Sequence, residues 1–153
     1  MAPDIRPMME ACNCLALREA SRHVSQFYDQ FLAAAGLRTS QFSILAKLRR
    51  LGPMTINALA KELVMDRTTL GRNVLPLERE GLIAIVKGSA DRRSKELRLT
   101  EAGLARLRLA GKGWSEAQAR FEAAFGGKRA AELRDLLHAV SATELEAAAA
   151  GRP

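Results

Sequence analysis

Three short stretches of this sequence hold side chains able to do chemistry. The first is Asp66-Arg67-Thr68-Thr69-Leu70-Gly71-Arg72-Asn73. Arg67 and Arg72 bring donors, Asn73 an amide that both donates and accepts, and Thr68 and Thr69 hydroxyls with methyl groups. That set complements the edges of bases in a major groove; its plainer reading is a solvated polar helix face. Asp66 suits a helix cap better than a contact, because its charge would repel phosphate. The second stretch, residues 87–98, carries five cations (Lys87, Arg92, Arg93, Lys95, Arg98) against two acids (Asp91, Glu96), a net of +3. A loop of that sign attracts polyanions, unless it is an ordinary solvated charge run. The third stretch holds the two thiols, Cys12 and Cys14. Their spacing does not resemble a zinc site. On one helix they would lie on nearly opposite sides, a poor geometry for a disulfide.

No catalytic set accompanies these groups. The chain has no Gly-rich phosphate loop, no zinc spacing and no Ser/His/Asp combination, and His23 and His138 stand alone. The expectation is a binding protein rather than an enzyme, with no cofactor or metal.

The elements that must position these residues follow from apolar periodicity. Residues 11–35 repeat Leu17, Val24, Phe27, Tyr28, Phe31 and Leu32 at spacings of three and four, a helical pattern closed by Gly36. A second helix starts at Thr39 or Ser40 and stops at Gly52-Pro53. Thr55 caps a short third helix and Asp66 a fourth that runs to about residue 80, closed by Gly81. Two short helices so tightly joined are the helix-turn-helix signature. In the fourth, Leu70, Val74 and Leu77 fall at i, i+4 and i+7 and face a core. Pro76 should remove the bond to the Arg72 carbonyl and bend that helix.

Residues 82–86 form an apolar, β-branched run suited to a strand, and residues 95–99 alternate charged and apolar side chains as a half-exposed strand does. Strand, basic loop and strand after a helix-turn-helix make a wing. Thr100 caps the next helix, Gly126-Gly127 breaks it, and a last helix is expected over about 130–148, with Leu133, Leu136, Leu137, Val140 and Leu145 as its apolar positions.

Bulk properties agree. The 153 residues are enough for one domain with a buried core, 5% aromatic content with abundant Ala and Leu favours helix, and the +7 charge points to a polyanionic partner. No apolar run is long enough to span a membrane, and residues 1–10 lack a signal core. The expected compartment is the cytoplasm.

Residues 41–103 resemble the MarR (multiple antibiotic resistance regulator) family of winged helix-turn-helix transcriptional regulators. The string Asp91-Arg92-Arg93-Ser94-Lys95-Glu96-Leu97-Arg98-Leu99-Thr100-Glu101-Ala102-Gly103 fits the family's D-x-R-x-x-x-[VL]-x-L-T-x-x-G at every fixed position. Asp66-Arg67-Thr68-Thr69-Leu70 and Leu77-Glu78-Arg79-Glu80-Gly81-Leu82-Ile83 look like its recognition helix and exit. The implied fold is mainly α with a small β-wing. It places a winged helix-turn-helix lobe over residues 38–103 and a terminal-helix dimerisation region over residues 1–37 and 104–150. The resemblance implies double-stranded DNA as partner, contacted by Arg67, Thr68, Thr69, Arg72, Asn73, Asp91, Arg92, Arg93 and Lys95. Within that set, Arg93 would enter the minor groove, oriented by an Asp91 salt bridge, and Arg92 and Lys95 would meet phosphates.

It also implies a homodimer whose first helix and last two helices intertwine across a two-fold axis, with Ile5, Met8, Leu133, Leu136, Leu137 and Val140 as seam residues. Members of the family respond to small aromatic effectors or to oxidants, and the resemblance makes repression the expected mode of control. The run Cys14-Leu15-Ala16-Leu17-Arg18-Glu19-Ala20-Ser21-Arg22 resembles the hydroperoxide-sensing branch, with Cys14 in the place of the reactive cysteine. Arg18 and Thr39 stand where that branch has tyrosines. The alternatives are that both cysteines are small packing residues and that the winged helix is a protein–protein module without specific DNA binding; the cations of the wing oppose the latter.

Overall fold

The computed structural model describes residues 4–146. In chain order these are α1 (Arg6–Glu10), α2 (Asn13–Leu32) with a 3-10 turn (Ala33–Ala35), α3 (Thr39–Leu51), β1 (Met54–Thr55), α4 (Ile56–Glu62), α5 (Arg67–Arg79), β2 (Ile83–Lys87), β3 (Lys95–Leu99), α6 (Glu101–Phe125) and α7 (Gly127–Ala142). The fold is mainly helical with a three-stranded antiparallel sheet in the order β1-β3-β2. It forms two compact units, one through Ala117 and one from Gln118.

In the first unit the apolar stripes converge as their spacing requires. Leu32, Ile44, Leu45, Leu59, Leu70, Leu77, Leu82 and Ile83 are fully buried and Val74 nearly so. Each such side chain contributes about 1.5–3 kcal/mol on leaving water. Helix α5 ends in a Schellman motif: Gly81 N–H donates to the Glu78 carbonyl (2.9 Å) and Leu82 N–H to the Leu77 carbonyl (2.9 Å). Gly81 supplies the required left-handed residue (φ 72°). Leu77 and Leu82, the pair that flanks this turn, are both buried. Thr100 then joins the wing to that turn. Its hydroxyl donates to the Gly81 carbonyl (2.6 Å) and accepts from Gly103 N–H (3.0 Å), which caps α6. Gly103 lies so close to the Leu82 carbonyl that a Cβ there would overlap it.

In the second unit Phe121 and Phe125 stack with centroids 5.5 Å apart, and the Arg129 guanidinium lies 4.3 Å from the Phe125 ring. Arg134 bridges Glu122 at 3.2 Å.

Several expected boundaries move. The first long helix begins at Asn13 rather than at residue 11, because Cys12 is its N-cap, and Pro7 opens a separate short helix before it. Residue 39 does start α3, but the Thr39 hydroxyl donates to Asp29 Oδ1 (2.6 Å) instead of capping, and Gln41 Oε1 accepts the Arg38 N–H (3.1 Å). Helix α5 continues through Pro76 to Arg79. The first wing strand is Ile83–Lys87, one residue later than the apolar run. Helix α7 starts at Gly127 and ends at Ala142, short of Leu145: Thr143 is extended, and its hydroxyl donates to the Ala139 carbonyl (2.7 Å). The rest of the expected last helix, residues 147–148, lies outside the described residues, as do residues 1–3 and 147–150 of the expected dimerisation region.

Candidate nucleic-acid interface

The helix-turn-helix is built by two side-chain caps and one strained turn. Thr55 Oγ1 accepts Ala58 N–H (3.2 Å) to start α4. The connection to α5 is closed by Met65 N–H to the Ala60 carbonyl (2.9 Å), with Val64 between them at φ 50°. A β-branched residue there is strained by about 1–2 kcal/mol. Asp66 then caps α5, its Oδ1 accepting Thr69 N–H (2.8 Å) and its Oδ2 the Thr69 hydroxyl (2.5 Å). The Thr69 hydroxyl and then its backbone N–H hold the Asp66 carboxyl below its ordinary range.

Burying Leu70, Val74 and Leu77 leaves the rest of the first two turns outward. Arg67, Thr68, Thr69 and Arg72 are exposed and Asn73 is half-buried, its Nδ2 donating to the Thr69 carbonyl (2.9 Å). Arg67 and Arg72 form no ion pair with any described residue.

The wing hairpin is closed by Gly88 N–H to the Ser94 carbonyl (2.8 Å), and Ser94 returns both N–H (3.1 Å) and hydroxyl (2.7 Å) to the Asp91 carbonyl. The expected Asp91–Arg93 salt bridge is not formed. Asp91 Oδ1 accepts the backbone N–H of Arg93 (2.9 Å), so a two-residue Asx turn satisfies the carboxylate and the Arg93 guanidinium is left outward. Arg92, Arg93 and Lys95 are exposed and pair with no described acid. Register adds what sequence reading missed: Lys87 stands directly opposite Lys95 across the hairpin. Like charges so placed are destabilising, and an anion between them would remove the penalty. The signal lay in the hairpin's length, which sets the register.

Elsewhere the cations are mixed. Arg49 and Arg50 are exposed at the end of α3, whereas Lys47 bridges Glu62 at 3.6 Å and Arg106 bridges Glu80 at 3.1 Å. Cys12 Sγ accepts Leu15 N–H (3.4 Å) as the α2 cap, which places it outside the helix that Cys14 occupies, while Cys14 and Arg18 are exposed. An open depression of about 570 Å³ near Arg38 is lined by both polar side chains (Gln26, Asp29, Gln30, Arg38, Gln41) and apolar ones (Ala33, Leu37). No three His, Cys, Asp or Glu side chains among the described residues could hold a metal, and no described helix is long and apolar enough to cross a membrane.

Residues 37–95 match the family model described as "MarR family". The chain is 31% identical over 96 residues to an uncharacterised HTH-type transcriptional regulator of Bacillus cereus, a match covering 63% of this chain and 63% of that one. The chain thus spans under two thirds of that relative's length. Among solved structures, the Mycobacterium tuberculosis transcriptional regulator MosR in complex with DNA is 34% identical, with a TM-score of 0.73 over 88% of this chain and 99% of that one. The transcriptional repressor CouR bound to a 23-mer DNA duplex is 25% identical, with a TM-score of 0.78 over 92% and 99%. With its wing motif, its helix-turn-helix and these likenesses together, this chain belongs to the MarR family, a family of transcriptional regulators and not of enzymes.

Proposed function

We propose that this protein is a cytoplasmic, homodimeric regulator that binds double-stranded DNA sequence-specifically. Arg67, Thr68, Thr69, Arg72 and Asn73 of α5 would face the major groove, with Arg93 at the minor groove and Arg92 and Lys95 on phosphates. Asp91 shapes the tip that presents them. The carrying observation is the wing itself: Lys87 stands opposite Lys95, and Arg92 and Arg93 are exposed and unpaired among the described residues, so the hairpin presents a cationic surface that a polyanion would neutralise. The helix-turn-helix sits one turn away, tied to the wing through Thr100 and Gly81. Two similar structures, MosR and CouR, are described as bound to DNA. In a dimer, with residues 1–37 and 104–150 supplying the seam, two α5 helices would meet successive grooves roughly 34–36 Å apart on a pseudo-palindromic site.

Fluorescence anisotropy on DNA from the gene's own upstream region tests this, at two salt concentrations and with scrambled competitor. Salt-sensitive binding that outlasts the competitor supports specific recognition. No binding even at low salt would remove DNA as the partner.

The regulation proposed is repression relieved by a signal at Cys14. The exposed Cys14 sulfur would attack a hydroperoxide, taking one oxygen to become a sulfenic acid while the alcohol leaves. Cys14→Ser should then abolish the loss of DNA binding on peroxide treatment and leave reduced-state affinity within about twofold of the parent. Unchanged peroxide sensitivity in the variant would remove Cys14 as the sensor, and a parent that peroxide leaves bound to DNA would favour a small aromatic effector instead.

A further inference from the structure

The Thr69 hydroxyl has one proton to donate, and the structure shows where it goes. Asp66 Oδ2 receives it (2.5 Å) while Asp66 Oδ1 holds the Thr69 backbone N–H (2.8 Å). An ionised carboxylate only accepts, and these same bonds hold the Asp66 carboxyl below its ordinary range. Thr69 therefore has lone pairs and a methyl group left for an outside partner, and no donor. The cap that starts the helix also sets the polarity of an exposed hydroxyl on its first turn.

Resting on the reading of α5 as the recognition helix, we infer that Asp66 is a positioning residue that makes Thr69 a selector for amino-bearing base edges. Adenine N6 and cytosine N4 donate in the major groove, whereas thymine O4 and guanine O6 accept. A hydroxyl locked as an acceptor binds the first pair and is repelled by the second. Because each base pair carries one amino and one keto edge, the selection appears as which strand holds the amino base at that position.

The exchange that isolates the effect is Asp66→Asn. An asparagine keeps the cap, since its Oδ1 can still accept the Thr69 N–H. Its Nδ2 now donates to the Thr69 oxygen, so the Thr69 proton turns outward and the hydroxyl becomes a donor. Thr69→Val is the second variant: it keeps shape and methyl and removes the hydroxyl.

The test is selection from a randomised double-stranded DNA library by the parent protein and both variants, followed by competition binding on the recovered site with each base at each position. The parent should favour A or C over G or T on one strand by about five- to tenfold at one position per half-site. Thr69→Val should reduce that preference to within about twofold, and Asp66→Asn should reverse it on the same strand. Loss of the Asp66 charge should also tighten binding to all sequences alike, a uniform change separable from the reversal. An unchanged base profile in both variants, on a parent that selects a clear site, overturns the inference alone. A parent that recovers no consensus overturns the reading of α5 on which it rests.

Discussion

Val64 is the one described non-glycine residue with positive φ, and it sits in the turn of the helix-turn-helix. It is 78% exposed, so its side chain gains little from burial while its backbone carries the strain. Val64→Gly removes the Cβ that opposes φ 50° and should stabilise the fold by about 1 kcal/mol, with glycine's greater unfolded-state entropy offsetting part of the relief. Thermal unfolding should show a higher midpoint; a lower one would mean the turn is held by the valine side chain after all. Sequence reading at this scale reached the caps, because each is a bond between residues three apart: Thr55 to Ala58, Asp66 to Thr69, Thr100 to Gly103. It placed Asp66 as the cap of α5 but could not show the second carboxylate oxygen taking the Thr69 hydroxyl. Both partners had other groups open to them, and only the relaxed geometry chooses.

At the level of elements, the wing and α6 meet where no side chain fits. A Cβ on Gly103 would overlap the Leu82 carbonyl and crowd Leu99. The same holds on α6 one stretch later, where a Cβ on Gly113 would overlap the Phe31 carbonyl of α2. Gly103→Ala should destabilise the protein by several kcal/mol despite alanine's better helix propensity, because backbone rather than a flexible side chain must move. Denaturant unfolding is the measurement, with Gly111→Ala, where a Cβ meets nothing, as the control expected to stabilise by about 1 kcal/mol. Equal effects at the two sites would refute the close-approach account. The motif glycine at 103 was legible as part of a string, but its reason is a contact across 21 residues that no local pattern encodes.

On the scale of the whole molecule, half of the large apolar side chains exposed among the described residues lie near the two ends of the chain. Ile5 (55%), Met8 (72%), Leu136 (66%) and Val140 (49%) are exposed, against complete burial of the helix-turn-helix stripe. Such apolar side chains on elements near both ends suit a partner of the same sequence, as proposed above. Leu136→Glu with Val140→Glu should convert the dimer to monomer in sedimentation at micromolar concentration and weaken operator binding by at least about tenfold, since each half-site must then be found separately. A double variant that sediments as the parent does would remove α7 from the seam.

The sequence by itself determined the identity and order of the long elements, the apolar stripe of α5, the basic hairpin and the family. These rest on periodicity, on caps spanning three residues and on a contiguous motif, all local properties of a chain. Tertiary structure alone decided the pairing of Met54 with Leu97 that adds a third strand, the juxtaposition of Lys87 and Lys95, the fit of Gly103 against Leu82 and the direction of the Asp91 and Thr69 hydrogen bonds. Each depends on where distant segments or competing partners come to rest, and that is set by the packing of the whole core rather than by any neighbour in sequence.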